Sequence, residues 1–127
     1  MKLSLIALLV RNYDEAIDWY TQVLGFRLAK DEDQSGGKRW VVIEDGAGRG
    51  LLLAKAKKPD ELAAVGNQHG GRVGFFLEVV DFDAAYRRLV EANARFDEQP
   101  RDEPYGKVVV FRDLYGNRWD LIEPAKE

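Results

Sequence analysis

The stretch Val10-Arg-Asn-Tyr-Asp-Glu-Ala-Ile17 returns later in the chain as Val79-Val-Asp-Phe-Asp-Ala-Ala-Tyr86. A shift of 69 residues lays Val10, Tyr13, Asp14, Ala16 and Ile17 on Val79, Phe82, Asp83, Ala85 and Tyr86. Each copy reads as the end of an apolar strand entering a helix, with Asn12 or Asp81 placed to cap it. A shift of 68 lays Asp45, Gly48 and Leu53 on Asp113, Gly116 and Leu121, so a glycine turn and the strand after it recur as well. Internal periodicity of this kind outranks any single motif as a fold signal. The chain is two copies of one supersecondary unit.

Working outward from that stretch, each copy is strand, helix, then three strands. Glu15 stands three residues after Asn12, as in a capping box, and Gly25 is a natural helix stop. The second helix turns Ala85, Leu89 and Ala92 inward and shows Arg87, Arg88 and Glu91 to solvent. Three strands are expected at residues 26–30, 39–44 and 50–54 in the first copy, and at 94–97, 107–112 and 118–122 in the second. The apolar run 1–10, with Lys2 at its head, has some features of a signal peptide, but its repeat partner at 72–79 lies mid-chain and identifies it as a strand. The expected organisation is one domain: a first module over 1–57, a connection over 58–71 with a short helix at 60–65, and a second module over 72–127.

Composition narrows the function. With 127 residues, 46% of them hydrophobic, the chain supports one core shared by its halves. A net charge of −3 with Lys and Arg scattered among acids disfavours nucleic acid as a partner. No apolar run is long enough for a membrane helix. The absence of cysteine removes thiolate metal sites and cysteine nucleophiles, and is compatible with the cytoplasm, where we expect the protein. The single histidine, His69, lies in a glycine-rich connection and reads as an exposed loop residue, so a Ser-His-Asp arrangement has no support. Glycines 46, 48 and 50 carry no phosphate-binding fingerprint.

The segment from Val10 through Trp19 to Phe26 resembles the opening helix signature of the vicinal oxygen chelate superfamily, and Asp113-Leu-Tyr-Gly-Asn-Arg-Trp-Asp-Leu-Ile122 resembles its closing strand. Glyoxalase I, extradiol dioxygenases, fosfomycin-modifying enzymes and bleomycin-resistance proteins share that fold. The resemblance implies an α+β fold in which two tandem βαβββ modules form an open curved barrel around a central pocket, commonly in a homodimer. It also implies four metal-ligand positions, one on the first and one on the last strand of each module. These fall on Leu5, Leu52, Gly74 and Asp120, of which Asp120 alone has a side-chain donor. No metal and no cofactor are therefore expected.

Strand alternation sorts the remaining candidates. Val73, Phe75, Leu77 and Val79 form one face of their strand, and Arg72, Gly74, Phe76 and Glu78 the other. In the last strand Trp119 and Leu121 should pack under the helices, leaving Arg118, Asp120 and Ile122 on the pocket side. The simplest readings are an ion pair of Asp120 with Arg72 or Arg118, and a pairing of Glu78 with a nearby arginine. Gly74 either leaves space for a ligand or relieves crowding by a neighbour. Tyr105 and Tyr115 lie on turns, where they either pack over the sheet edge or wall the pocket, and Trp40 reads as core.

The expected function is metal-independent binding of a small organic ligand, in a pocket lined by Leu5, Leu52, Arg72, Gly74, Phe76, Glu78, Tyr105, Arg118 and Asp120. The alternative is a glyoxalase-like lyase or dioxygenase-like oxidoreductase, using Asp120 and Glu78 as a non-standard metal or acid/base site. A third reading is a dimeric structural or regulatory domain with a vestigial pocket.

Overall fold

The computed structural model describes residues 1–126 as two compact units, the first Met1–Gln68 and the second beginning at His69. The first contains β1 (Ile6–Val10), α1 (Tyr13–Gln22), β2 (Arg27–Asp33), β3 (Arg39–Glu44), β4 (Gly50–Lys55) and α2 (Pro59–Ala64). The second contains β5 (Val73–Glu78), α3 (Phe82–Glu91), β6 (Arg95–Phe96), β7 (Arg101–Glu103), β8 (Gly106–Arg112) and β9 (Arg118–Pro124). Sheet order is β1-β4-β3-β2 in the first unit and β5-β9-β8-β6 in the second, with β7 also on β8. In both, the first strand lies parallel to the last and the others are antiparallel. The fold is α+β, built from two βαβββ modules. Among the described residues no helix is long and apolar enough to cross a membrane.

The repeat extends to the helix caps. Asn12 Oδ1 accepts from Glu15 N at 2.9 Å, and Asp81 Oδ1 accepts from Ala84 N at 3.1 Å, so each helix opens on the same cap. Tyr13, Ala16 and Tyr20 are the buried stripe of α1, and their counterparts 69 residues on are Phe82, Ala85 and Leu89. Each helix covers one sheet face. Arg39 of β3 stacks over the Tyr13 ring and pairs with Asp14, which places α1 on the side of Arg39, Val41 and Ile43. Glu123 of β9 accepts from Phe82 N, and Lys107 of β8 pairs with Asp83, which places α3 on the side of Trp119, Leu121 and Glu123.

Both repeated aspartates build the turn before the last strand. Asp45 Oδ1 accepts from Ala47 N and Arg49 N. The buried Asp113 carboxylate accepts five donors at 2.9–3.1 Å: Tyr115 N, Gly116 N, Asn117 N, Asn117 Nδ2 and Trp119 Nε1. Side chains also cover sheet edges. Gln68 accepts from Leu9 N and donates to Ala7 O, standing in for a strand beside β1. Residues up to Gln68 thus pack with the first unit, so the expected connection over 58–71 is not simply exposed chain.

Three strands differ from expectation. β1 starts at Ile6 and not at the beginning of the apolar run 1–10, so Leu5 lies just ahead of it. β2 runs on to Asp33 because Arg39 donates from Nε and Nη2 to the Asp31 carboxylate at 3.0 and 2.7 Å, an ion pair across the edge that offsets the poor strand propensity of three acids. The partner of β8 is broken into β6 and the unforeseen β7. Between them Glu98 Oε2 takes the Val110 N–H at 3.1 Å, while Pro100 has no N–H to offer a ladder.

Removing Asp113 leaves several buried donors without an acceptor, each costing about 1–3 kcal/mol. Urea unfolding of Asp113→Ala should therefore show a loss of about 4 kcal/mol, against about 1 kcal/mol for Asp45→Ala in its exposed turn.

Candidate functional site

The faces turned away from the helices carry the candidate residues. In the first unit this face is mixed, with Lys30, Glu32 and Glu44 beside Val42 and Leu52. Leu52 stands between Ala7 of β1 and Val42 of β3, and Leu5 closes over Gly50, where an added Cβ would lie 3.1 Å from Leu5 Cδ2 and 3.3 Å from Val42 Cγ1. The second unit repeats the register with different chemistry. Phe76 of β5 pairs with Asp120 of β9 as Ala7 pairs with Leu52, and Val110 lies on the other side of Asp120. Phe76 is 70% exposed, an unusual position for a phenyl ring on a sheet.

Asp120 has neither of its expected arginine partners. Arg118 instead donates to Asp97 Oδ2 at 3.2 Å and to Gly71 O at 3.1 Å, while Arg112 holds Asp97 Oδ1 at 2.9 Å. Asp97, between two guanidinium groups, is held below the usual carboxylate range, chiefly by Arg112. Asp120 Oδ1 is shut off from solvent with no hydrogen-bond partner among the described residues. Burial raises its pKa, against the opposing pull of Arg101; Glu98 adds to the rise and Arg118 opposes it. Glu78 is exposed, beside Ile122, and makes no ion pair among the described residues. Arg72 is exposed in front of β5, and its N–H bonds His69 O. Tyr105 is exposed on the β7–β8 turn, with its hydroxyl at Arg101.

Gly74 does not open a space. A Cβ there would come within 2.6 Å of His69 Cε1 and nearer still to Nδ1 and Cγ. His69 is exposed, yet its ring meets Phe75 edge-on at 5.0 Å, and Phe75 in turn stacks on Trp119 at 4.4 Å. Register explains the crowding. Val73 pairs with Arg118 and Phe75 with the next residue, Trp119, so Gly74 is an extra residue and the simple alternation through Val73 fails. The alternation from Phe75 onward, and in β9, is as expected.

Residues 97–103 carry ion pairs that the strand pattern does not single out. Arg101 is engaged by Glu98 at 3.0 Å and by Glu103 at 2.6 Å, which pushes its pKa up, mainly through Glu98. Their signal was present: a charged run preceding a strand whose Val108, Val109, Val110 and Phe111 are all buried must help cover that strand.

This architecture agrees with the comparisons to known proteins. The model of the Glyoxalase/Bleomycin resistance protein/Dioxygenase superfamily matches residues 2–121. The chain belongs to that superfamily. An uncharacterized protein of Shewanella frigidimarina is 47% identical over 121 residues, covering 93% of this chain and 90% of its own. Among solved structures, UcmS2 aligns with a TM-score of 0.80 and 28% identity, over 97% of this chain and 98% of its own. TnmS3, described as an antibiotic binding protein from Streptomyces sp. CB03234, aligns with a TM-score of 0.77 and 28% identity, over 98% and 97%.

A catalytic metal site needs several donors around one ion. Leu5 and Leu52 are aliphatic, Gly74 lies under His69, and among the described residues no three His, Cys, Asp or Glu side chains are grouped to hold a metal. Asp120 alone cannot complete a coordination sphere.

The contact of His69 with Gly74 makes a specific prediction. Gly74→Ala should cost about 1–3 kcal/mol by overpacking, and most of that cost should vanish in a His69→Ala background. A denaturation double-mutant cycle measures the coupling; equal costs in both backgrounds would show that His69 is not what requires glycine.

Proposed function

We propose that this superfamily member binds a small organic molecule without a metal, on the sheet faces that its helices leave uncovered. The observation that carries the reading is the substitution pattern at the four metal-ligand positions: two leucines, one glycine beneath a ring, and a single carboxylate. The first unit is left with apolar side chains at its two positions and the second with a carboxylate, and apolar contact with a few polar anchors is the usual composition of a small-ligand site. Likeness to TnmS3, an antibiotic binding protein, supports the same class of ligand. In the first unit Leu5 and Leu52 would supply apolar contact; in the second Phe76 would do so and Asp120 would be the anchor, with Arg72, Glu78, Tyr105 and Arg118 at the margins.

Two measurements test this together. Elemental analysis of protein purified without added metal should find iron, manganese, nickel and zinc well below one equivalent. A thermal-shift screen of apolar antibiotics should find a stabilising compound whose effect survives chelator, since ligand at about 100 times its Kd adds about 2.7 kcal/mol. Tightly held stoichiometric metal would overturn the reading, as would a screen in which stabilisation always requires metal.

A second reading is favoured by the raised pKa of Asp120. A carboxyl group whose pKa burial raises is suited to general acid/base work in a lyase-like reaction, with Glu78 two residues beyond Phe76 on the same side of β5. Turnover that disappears in Asp120→Asn would identify that case.

We further propose a homodimer in the cytoplasm. Leu3, Ile6 and Val80 are large apolar side chains at least half exposed, and both edge strands β1 and β5 bear some of them or lie next to them. Light scattering at micromolar concentration should give twice 14.4 kDa. A constant monomer mass over that range would refute it.

A further inference from the structure

The uncovered face of the second unit has one acceptor too many. The arginines whose charge acts on Asp120 are both engaged: Arg101 by Glu98 and Glu103, and Arg118 by Asp97, which also holds Arg112. That leaves Asp120 with Oδ1 closed to solvent and no donor among the described residues. A buried acceptor without a donor is costly, and more so when charged. The same row of the sheet places Phe76, largely exposed, directly beside Asp120. An anion brought here would have to take a guanidinium from an existing ion pair while lying next to an unneutralised carboxylate. A cation meets the opposite conditions: an unmatched carboxylate oxygen and the negative face of a phenyl ring.

Resting on the small-molecule reading above, we propose that the surface formed by Asp120 and Phe76 selects organic ligands that present a hydrogen-bond donor, above all a protonated amine, next to an aromatic or apolar body, and rejects carboxylates of the same shape. The amine N–H donates to Asp120 Oδ2, the carboxylate oxygen that is not closed to solvent, and the ring lies against Phe76. The ion pairs of Arg101 and Asp97 stay intact and fix the edges of the surface. A neutral alcohol satisfies the oxygen without matching its charge, so it ranks between the amine and the acid.

The test uses three probes that differ in one group: 2-naphthylmethylamine, 2-naphthylmethanol and 2-naphthoate, titrated at neutral pH by ligand-observed NMR against the full chain. The amine is expected to bind about tenfold or more tighter than the carboxylate, in line with the strength of charge-assisted hydrogen bonds. Asp120→Asn should reduce that ratio to about threefold or less while raising the melting temperature, because it removes a charge that burial disfavours. Loss of selectivity in a more stable protein is not a folding defect. Phe76→Ala should weaken all three probes by a similar factor. If the probes bind but the carboxylate equals or exceeds the amine, or if the preference survives Asp120→Asn, the donor selectivity is overturned and small-molecule binding stands. If none of the three binds saturably at millimolar concentration, both readings fall.

Discussion

Each module has a main helix of ten residues for a sheet with two faces, and one helix covers only one of them. That constraint organises the rest of the molecule. On the covered side, Leu8, Val41, Ile43 and Leu53 in the first unit, and Val109, Phe111, Trp119 and Leu121 in the second, are almost wholly buried. Burial on this scale, at roughly 25 cal/mol per Å² of apolar surface, is the main source of stability each module has. The opposite faces are not needed to hold a helix. Their composition is free to follow another requirement, and that is where the two copies part company: leucines in one, aspartate and arginines in the other.

A short module also cannot pair every strand edge with another strand, so side chains complete the hydrogen bonding. The Gln68 amide does so for β1, the Glu98 carboxylate for β8, and Asp45 and Asp113 for the turns before the last strands. The difference in burial between the two turn aspartates matters. Asp113 also holds Trp119 Nε1, and Trp119 stacks on Phe75 and Phe111, so one carboxylate links the turn to the aromatic core of its unit. Asp45 ties down only its own exposed turn. A duplicated motif has thus acquired a second task in one copy.

The features legible in the sequence were those that repeat or that depend on neighbours in the chain: the caps at Asn12 and Asp81, the glycine turns, and the alternation of Trp119, Asp120 and Leu121. Features set by distant contacts were not. The bulge at Gly74 depends on a register shift against β9 and on a histidine five residues earlier, and alternation alone cannot see either. Arg118 is, with Arg72, an expected partner of Asp120 because the two are close in sequence and share a face. Asp97 competes for that arginine from outside the strand, already holding Arg112, and its carboxylate bridges both. The extension of β2 through three acids likewise needs Arg39, whose position across the hairpin is set by pairing and not by propensity.

Leu52 and Asp120 occupy equivalent places, each across from the first strand of its module, Ala7 in one case and Phe76 in the other. Exchange of a leucine-like position for aspartate gains no packing and leaves a carboxylate oxygen unmatched, so the fold alone gives no reason for Asp120. The neighbouring arginines do not provide one, since acids from outside the strand already neutralise them. Phe76 points the same way: a phenyl ring left exposed on a sheet contributes little to the core it does not enter. Two residues that each make poor sense for stability, placed side by side, make sense together as a surface for something the chain does not itself contain. The first copy, with alanine and leucine at these two places, carries neither the ring nor the carboxylate, so two copies of one motif differ in chemistry at an equivalent position.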